Sequence, residues 1–434
     1  MADFCYFPHT PEDIALMLER IGVGSLDELY SDVPGECFFK GEYDLPEAMS
    51  EQQVRDYFEK LAAKNTSLKV MVGQGAYDHY VPSVIPYITS RSEFLTAYTP
   101  YQCEISQGTL RYIFEWQTLI SNLTGLPCAN ASMYDGPTAA AEAVRMCVAA
   151  SKKKNTVIVS AALLPSVLDV IKTYASYSGV NVVVSESVTE DVAEGVADIA
   201  GVVVPSVNRY GIIEDHSGLA ELVHSMKALL VEYCDPSVLA VVKSPAEWGA
   251  DIAVGDGQSL GIPLNYGGPY VGFMACTQEL MRKMPGRIVG QTVDAQGRRC
   301  YVLTLQAREQ HIRREKATSN ICSNQSLMAL WCTVYLSLMG PKGLRRVNEF
   351  CYGLSHRLYE GLLASGKFEK VYDGEFLKEF VLKPLCDVPT LQKALRDAGY
   401  FAALQTEEGY VTFCVTERRS EAEVDEVISI VNAL

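Results

Sequence analysis

The sequence predicts an α/β fold in which a mostly parallel sheet of the seven-stranded type is combined with a helical N-terminal arm and a small C-terminal α+β domain. Between residues 136 and 276, valine- and isoleucine-rich runs of strand length alternate with amphipathic runs of helix length. The strand-like runs are continuously apolar, which is typical of parallel strands covered on both faces. Apolar residues make up 48% of the 434 residues and charged residues 21%, as in a globular chain with one large domain and one or two smaller ones.

Residues 1–65 are expected to form the helical arm. Thr10 precedes a proline and two acids, which is a typical helix start with a capping hydroxyl and negative charge near the helix dipole. Ser25 and Ser50 repeat the signal, and Gln53 completes a capping box with Ser50. These helices hold too few apolar residues for a core of their own, so we expect them to pack on a partner surface.

Residues 66–325 are expected to form the large α/β domain. Its first part, about residues 70–130, is rich in tyrosine, proline and glycine and has weak periodicity, which is typical of a functional or interface segment. The pattern after it predicts helices over about 136–150, 166–177 and 215–228, and strands over 156–160, 182–185, 200–205, 228–234, 251–255 and 271–275.

Residues 326–434 are expected to form linking helices and the small α+β domain. A Gly-Pro pair at 340–341 separates a helix over about 324–339 from a second one over about 342–364. The remaining segment predicts strands over 379–382 and near Phe401 and Val411, and helices over about 391–398 and from Glu421.

Composition and charge exclude several classes of protein. The net charge of −16 disfavours a nucleic-acid surface, which needs a basic face. The 13 cysteines never form a C-x-x-C pair, so we expect buried free thiols and no metal site. The first residues lack a signal-peptide pattern, and the longest apolar run, residues 327–339, is too short to cross a bilayer. A soluble cytoplasmic protein without membrane contact is therefore predicted.

Two positions at strand ends carry the main chemical signal. Asp235 directly follows one predicted strand, and Gln258 lies just beyond the next. In pyridoxal-phosphate enzymes of the aspartate-aminotransferase type, an Asp at such a strand end neutralises the pyridinium nitrogen and a later Lys forms the Schiff base. Gln258 stands where that Lys is expected, and an amide cannot form an imine. Asp235 would then be a cap, a turn residue or a relic. The alternative is that another lysine serves, the nearest being Lys243 in the turn after Asp235.

Nine stretches of the chain closely resemble the P-protein family of the glycine cleavage system, the decarboxylating glycine dehydrogenases, and within it the alpha subunits of the two-subunit enzymes. One of them reads Gly255-Asp-Gly-Gln-Ser-Leu-Gly-Ile-Pro263. They cover most of the first three quarters of the chain in order, whereas the last hundred residues match only loosely. The stretches are residues 6–10, 75–82, 90–94, 96–102, 104–108, 129–136, 255–263, 287–291 and 308–320.

The resemblance implies a half-enzyme with the fold of the pyridoxal-phosphate transferases (aspartate aminotransferase-like, fold type I). In this family the Schiff-base lysine belongs to the beta subunit, which would hold the cofactor covalently, and Gln258 fits the alpha role. The implied activity is decarboxylation of glycine through a pyridoxal-phosphate imine and transfer of the aminomethyl group to the lipoyl arm of the H-protein. The implied partners are the beta subunit, in an alpha2-beta2 assembly, and the H-protein, and the isolated chain is expected to be inactive. A self-sufficient pyridoxal-phosphate decarboxylase or aminotransferase and a non-catalytic scaffold or regulator are the alternatives.

A short polar segment is a candidate wall of the glycine and cofactor cleft shared with the partner. An ordinary buried loop seldom carries so many polar side chains, because each one needs a hydrogen-bond partner. The alternative is an interface loop whose hydrogen bonds are structural. The candidate residues are Tyr98, Thr99, Tyr101, Gln102, Glu104, Ser106 and Gln107.

A histidine and a basic cluster are further candidates for the same cleft. His79 could assist proton transfer, which is a common role of histidine, although a lone histidine beside tyrosines is more often structural. The basic cluster could bind a carboxylate or phosphate across the subunit interface, or be partly solvated, since its members would not share one helix face. It consists of Arg308, His311, Arg313, Arg314 and Lys316.

The segment Asp135-Gly-Pro-Thr138 opens a predicted helix. Helix N-termini bind phosphates readily, and in cofactor-binding relatives of this fold the phosphate lies at such a turn. Pro137 removes one amide donor, and Gly-Pro is also a common helix start. An ordinary helix start is the favoured interpretation.

Overall fold

The structure, a computed structural model, describes residues 8–151, 153–317, 319–321 and 323–434, and its contacts divide the chain into two compact units, Met1–Thr66 and Ser67–Leu434. Residues 6 and 7 of the first matched stretch and Thr318 of the last lie outside the described residues. The predicted boundary at 325/326 falls inside the second unit and stays a prediction.

The first unit contains helices α1 (Pro11–Ile21) and α2 (Glu51–Ala62). The predicted capping boxes are confirmed, because the Thr10 and Ser50 side chains each accept from the third residue of the helix that follows. The helix predicted at Ser25 is instead a short 3₁₀ turn over Asp27–Tyr30. No residue of α1 or α2 is buried, so the expected partner surface for the arm remains a prediction.

The helices and strands of the second unit follow one another along the chain. They are β1 (Lys69–Val70), α3 (Val84–Thr89), α4 (Ser92–Leu95), α5 (Gln107–Thr124), β2 (Cys128–Ala129), α6 (Gly136–Ser151), β3 (Thr156–Ser160), α7 (Pro165–Ser178), β4 (Asn181–Ser185), α8 (Val188–Ala193), β5 (Ile199–Pro205), α9 (Leu219–Ser225), β6 (Leu229–Tyr233), β7 (Ile252–Asp256), β8 (Gly272–Cys276), β9 (Ile288–Val293), β10 (Arg299–Thr304), α10 (Gln310–Arg313), α11 (Ser326–Ala364), β11 (Phe368–Lys370), β12 (Glu379–Pro384), α12 (Val388–Asp397), β13 (Tyr400–Phe401), β14 (Leu404–Gln405), β15 (Val411–Cys414) and α13 (Glu421–Asn432).

The central sheet confirms the predicted α/β class. In the described part of the chain it has seven strands in the order β2-β8-β7-β6-β5-β3-β4, and β8 alone runs opposite to the others. Every residue of β3 and β5 is buried, which explains the continuous apolar runs at 157–159 and 199–205 in sequence. The carboxyl ends of β6 and β7 meet at one edge of the sheet, where ligands bind in open α/β folds.

Two parts of the large domain differ from the prediction. Residues 70–130, expected to be irregular, contain the 18-residue helix α5, whose buried face includes Leu110, Ile113, Trp116 and Ile120. The strands β9 and β10, which form an antiparallel hairpin, were also not predicted.

The helix predicted over 215–228 is shorter than expected. The Asp215 side chain accepts from the amide of Ser217 in a turn, and Gly218 has a φ of 78°, so α9 begins only at Leu219. A positive φ at Gly218 suits glycine and interrupts a helix that would otherwise run back to Asp215.

The small α+β region follows the kinked helix α11. Gly340, with a φ of 60°, separates the two predicted helical segments at the predicted position. The antiparallel sheet β11-β12-β15-β14 packs with α12 and α13 around a core that contains Phe380 and Phe413. Strand β12 matters for the site, because Lys378 and Glu379 at its start are buried polar residues.

The cysteines and the helices bear on two expectations from composition. Among the described residues the cysteines are all free and most are buried. No described helix combines the length and apolar character that crossing a membrane requires.

A buried carboxylate in the middle of the sheet gives a first testable prediction. Glu232 of β6 is fully buried, and neither carboxylate oxygen has a hydrogen-bond partner among the described residues. Burial raises its pKa from 4.5 to about 8. The folded protein therefore holds this proton more tightly than the unfolded chain, and the free energy of unfolding should fall as pH rises between the two pKa values.

Relative to Glu232→Gln, the wild-type free energy of unfolding should fall by up to about 1.4 kcal/mol per pH unit between about pH 5 and pH 8 and then level off. Urea unfolding at several pH values checks this, with exposed Glu221→Gln as the matched control. Parallel curves for wild type and Glu232→Gln would contradict the prediction.

Candidate functional site

The candidate site lies at the carboxyl ends of β6 and β7, where sequence reasoning placed Asp235 and Gln258. Asp235 follows β6, and Gln258 lies two residues beyond the end of β7. The cavity beside Asp235 measures about 40 Å³, which is room for a few water molecules. Its lining residues are Gly75, Tyr77, Leu163, Leu164, Pro205, Val207, Asn208, Tyr233, Cys234, Asp235, Asp256, Ser259 and Glu379.

Asp235 forms a buried ion pair with a lysine that the sequence did not single out. Lys378 Nζ donates to Asp235 Oδ2 at 2.7 Å, and the lysine is only 4% exposed. The other carboxylate oxygen accepts from the Ser237 amide at 2.9 Å and from the Ser259 hydroxyl. Burial alone would raise the pKa of Asp235, but the adjacent Lys378 charge holds that pKa below its usual range. Asp235 therefore has two roles. It is a turn residue, which was one of the three expectations from the sequence, and it is the anionic partner of Lys378.

His79 and Glu417 extend the ion pair into a chain of contacts. Lys378 Nζ lies 3.0 Å from His79 Nε2, and His79 Nδ1 lies 2.7 Å from Glu417 Oε2. Because an ammonium group can only donate, Nε2 must accept and Nδ1 must carry the proton that is donated to Glu417. Although burial opposes it, the hydrogen bond from His79 lowers the pKa of Glu417 to about 2. His79 is 4% exposed with both nitrogens engaged, so its expected role in moving a proton in an open cleft does not fit this placement.

The same region contains three side chains of the kind that bind metals. Ligand atoms of His79, Cys351 and Glu417 lie within 4.8 Å of one another. The Lys378 ammonium beside His79 repels a cation, and burial raises the pKa of the Cys351 thiol to about 12. A protonated thiol is a poor metal ligand, so the cluster is better described as part of the hydrogen-bonded network.

Gln258 is fully buried and its amide is completely used in structural hydrogen bonds. Its Oε1 accepts from the Tyr77 amide at 2.7 Å. Its Nε2 donates to the carbonyls of Tyr77 at 2.9 Å and Ile262 at 2.8 Å. The residue at the expected lysine position therefore joins two backbone segments.

The start of helix α6 is bound by carboxylates from the chain itself. The Gly136 amide donates to Asp256 Oδ2 at 2.9 Å, and the Thr138 amide donates to Asp135 Oδ1 at 2.7 Å. Pro137 has no amide hydrogen. Burial raises the pKa of Asp256 to about 7, despite the two backbone amides that donate to it. The favoured interpretation, an ordinary capped helix start, agrees with these contacts.

The residues at this edge of the sheet do not fit pyridoxal phosphate. No described lysine is free at the pocket, because Gln258 takes the expected position and the Lys378 ammonium is bound to Asp235. The cavity of about 40 Å³ is too small for a phosphorylated pyridine ring. No cofactor chemistry can therefore be derived for this pocket.

A second polar cluster combines part of the predicted loop with residues that sequence reasoning missed. Arg287 and Glu309 are 2% and 6% exposed, and Arg287 Nε lies 3.3 Å from Glu309 Oε2. These two atoms are not aligned for a hydrogen bond, and neither has a hydrogen-bond partner among the described residues. The Arg287 guanidinium also donates to the Tyr101 hydroxyl at 3.2 Å and, more weakly, to Thr99 Oγ1 at 3.5 Å.

The rim of this cluster contains a tyrosine ring and an imidazole ring. The Tyr101 ring lies 5.1 Å from the Arg287 guanidinium and 6.4 Å from the His311 ring, and His311 Nδ1 lies 3.4 Å from Glu309 Oε2. The buried Arg287–Glu309 pair thus contacts Thr99 and Tyr101 of the loop and His311 of the basic cluster, and the shared cleft itself stays a prediction.

The remaining loop residues divide into open and structural positions. Tyr98, Gln102 and Glu104 are exposed, and no side-chain hydrogen bond holds them within the described residues. Gln107 instead joins α5 to β10, donating to the carbonyls of Cys103 at 2.6 Å and Tyr301 at 2.8 Å. Ser106 precedes α5 without capping it through its side chain. For Gln107 the structural alternative is the one that the contacts support.

The members of the basic cluster have different environments and do not form a single basic surface. Arg308 donates to the carbonyls of Met284, Gly286 and Leu305. Its guanidinium is occupied by backbone, so its expected role as a cleft residue does not fit this placement. Arg313, Arg314 and Lys316 are exposed, in line with the expectation that some members are solvated.

Comparisons with known proteins identify the family of the chain. The family model described as Glycine cleavage system P-protein matches residues 5–431. The chain is 46% identical, over 97% of each sequence, to the probable glycine dehydrogenase (decarboxylating) subunit 1 of Desulforamulus reducens. A crystal structure of a glycine decarboxylase (P-protein) in inhibitor-bound form aligns with a TM-score of 0.91 at 39% identity over 99% of both chains.

More distant structures support the fold class alone. A glutamate decarboxylase of Lactobacillus brevis aligns with a TM-score of 0.65 at 14% identity, over 92% of this chain and 96% of the other. The predicted fold of the pyridoxal-phosphate transferases, fold type I, is confirmed.

Proposed function

The chain belongs to the glycine cleavage system P-protein family, and from that membership we propose that it is the subunit of a decarboxylating glycine dehydrogenase that carries no cofactor-binding lysine. With its partner subunit it decarboxylates glycine and passes the aminomethyl group to the lipoyl arm of the H-protein. The name subunit 1 of its relatives supports a second subunit as the partner.

The environment of Gln258 is the main support for assigning the cofactor-binding lysine to the partner subunit. Gln258 is buried, bonded through its whole amide to backbone, and unable to form an imine. The partner subunit would therefore supply the lysine and hold pyridoxal phosphate, in a cytoplasmic alpha2-beta2 assembly. The cofactor would stabilise the negative charge that develops on the glycine carbon as carbon dioxide leaves.

The contribution of this chain is a polar wall for the shared cleft. Tyr98, Gln102 and Glu104 face outward and are free to meet a substrate or the partner subunit. On the buried side of the loop, Arg287 donates to Thr99 and Tyr101 and is itself paired with Glu309. Such support fixes a loop in one geometry, which positions a substrate better than a mobile loop does.

Borohydride reduction tests the proposal. The purified chain is mixed with pyridoxal phosphate and reduced. The extent of pyridoxyl labelling at Lys378 and Lys243 should not exceed the background labelling of exposed lysines such as Lys383. Peptide mass spectrometry locates the label. Decarboxylation of ¹⁴C-glycine should require both this chain and the partner subunit, called subunit 2 below.

The same measurements separate the alternatives. Lys378 is tested beside Lys243 because it is a buried lysine next to the pocket. Stoichiometric label at Lys378 or Lys243 with turnover by the isolated chain would replace the proposal with a self-sufficient enzyme. Full turnover by subunit 2 alone would leave this chain as a scaffold or regulator.

The exposed loop acid provides a prediction about turnover. Glu104→Ala should reduce turnover of the assembled enzyme at least about tenfold, the usual scale for losing a positioned polar group, because its carboxylate has no structural partner within the described residues. The complex itself should form normally by size-exclusion chromatography. Exposed Glu407→Ala is the matched control and should keep wild-type kinetics. Unchanged kinetics for Glu104→Ala would assign the loop to structure.

A further inference from the structure

We infer that Lys378 takes the place of a cofactor in this chain, with its ammonium group in the cation position on Asp235, so that the cofactor-type pocket is filled and charge-balanced by the chain itself. The inference goes beyond the proposed function. The proposed function states that the lysine nucleophile is missing, but it does not say which groups occupy the positions of the pyridinium nitrogen and the phosphate. It rests on contacts at three places around the pocket.

The first place is the carboxylate at the end of β6. In enzymes of this fold an Asp here receives a hydrogen bond from the protonated pyridinium nitrogen. In this chain Asp235 receives one from the Lys378 ammonium at 2.7 Å. Both donors are cations with an N–H group, so the electrostatic requirement of a buried carboxylate is met in the same way.

The surroundings of Lys378 are built for a cation. Besides Asp235, the ammonium lies 3.0 Å from His79 Nε2, 3.4 Å from Ser237 Oγ and 3.8 Å from the centre of the Tyr77 ring. An aromatic face attracts a desolvated ammonium group, and the imidazole and hydroxyl can accept its remaining hydrogens. A lysine that is 4% exposed with this set of partners has its charge fully compensated.

The second place is the amino-terminal end of helix α6, where a phosphate would bind backbone amides. Here the Gly136 amide donates to the buried Asp256, and the Thr138 amide donates to Asp135. The anions at the helix start are therefore side chains of this chain. A phosphate would have to displace them.

The third place is the lysine position, where the Gln258 amide makes three hydrogen bonds to backbone. Lysine, pyridinium and phosphate sites are thus each occupied by a residue of the chain. Lys378 also joins the start of β12 to the end of β6, so the small α+β region is fixed to the sheet edge whether or not cofactor is present.

Chemical rescue tests the inference on the full chain. Lys378→Ala removes three carbons and an ammonium group, which n-propylammonium can replace. We expect the variant to unfold about 5–10 °C below wild type, because a buried carboxylate loses its cation. Addition of n-propylammonium chloride should recover a large part of this shift, whereas the same concentration of potassium chloride should not.

Two controls accompany the rescue. Lys383→Ala removes an exposed lysine that is paired with Glu369 and lies in β12, the strand that Lys378 directly precedes, and it should show neither the large shift nor the rescue. Pyridoxal phosphate should leave the unfolding temperature of the wild-type chain unchanged. A wild-type chain stabilised by pyridoxal phosphate, or a Lys378→Ala chain as stable as wild type, would overturn the inference.

A second pair of variants keeps the inference testable if Lys378→Ala does not fold. Lys378→Met leaves Asp235 charged, whereas Lys378→Met combined with Asp235→Asn removes both charges from nearly the same volume. The double variant should unfold at a higher temperature than the single one, because the two positions are energetically coupled. A double variant less stable than Lys378→Met would overturn the charge-balancing role. These readouts do not depend on turnover, so failure of the proposed function would leave them interpretable.

Discussion

Replacing Arg287 by methionine is expected to lower the free energy of unfolding by about 3–5 kcal/mol, because Glu309 is left buried without its main cation. Glu309 is 6% exposed, and the remaining basic group near it is His311 at 3.4 Å. Burial of an unpaired carboxylate costs far more than the loss of a surface ion pair. Urea unfolding monitored by circular dichroism measures the change.

The control for this prediction comes from the neighbouring hairpin. Arg298→Met breaks an ion pair with Asp294 in which the arginine side chain is 76% exposed, and it should cost less than about 1 kcal/mol. Arg287→Met combined with Glu309→Gln should be more stable than Arg287→Met alone, since no buried charge remains unpaired. Equal small losses for Arg287→Met and Arg298→Met would contradict the assignment of a buried pair.

The same variant should affect catalysis in the assembled enzyme through the loop it supports. Arg287 donates to the Tyr101 hydroxyl and, more weakly, to Thr99, and its planar group lies against the Tyr101 ring. Arg287→Lys keeps the charge but loses this fork of donors. In Arg287→Lys we therefore expect a clear loss of turnover in the assembled enzyme together with a free energy of unfolding close to that of the wild type. A lysine variant with wild-type turnover would limit Arg287 to a stabilising role.

The sheet was predictable because its strands carry their own signal. The centre of β3, residues 157–159, and all of β5 are apolar, and burial on both faces is what makes them so. Helix α5 was missed because its buried face mixes Leu110 and Ile113 with the polar residues Gln117 and Thr124. Gln117 is buried because it pairs with the backbone of Val289, a contact that no local pattern reveals.

The candidate site was predictable only where it lies at strand ends. Asp235 and Gln258 follow consecutive strands of the sheet, so their proximity could be inferred from the order of elements. Lys378 comes 143 residues after Asp235 from a different sheet, and its charge at the start of an apolar strand resembles an ordinary solvated end. Arg287 and Glu309 were likewise hidden, because two charges separated along the chain reveal their pairing only after folding.

Replacing Gln258 by leucine is the second change for which a large effect is expected. The variant leaves the Tyr77 amide and the carbonyls of Tyr77 and Ile262 without their partner. Each buried polar group left unpaired costs about 1–3 kcal/mol, so for three such groups the free energy of unfolding should fall by at least about 3 kcal/mol in total. Exposed Gln52→Leu is the matched control and should change it by less than about 0.5 kcal/mol.

Gln258→Lys separates a missing nucleophile from a closed pocket. The new ammonium could donate to the two carbonyls but could not accept from the Tyr77 amide, so part of the destabilisation should remain. Pyridoxal phosphate and borohydride should still leave no adduct at position 258, because Lys378 holds Asp235 and the cavity is about 40 Å³. An adduct at position 258 would mean that the pocket opens readily and that only the lysine was lost. Its absence in Gln258→Lys, together with its appearance when Lys378→Ala is added, would identify the internal ammonium as the group that excludes the cofactor.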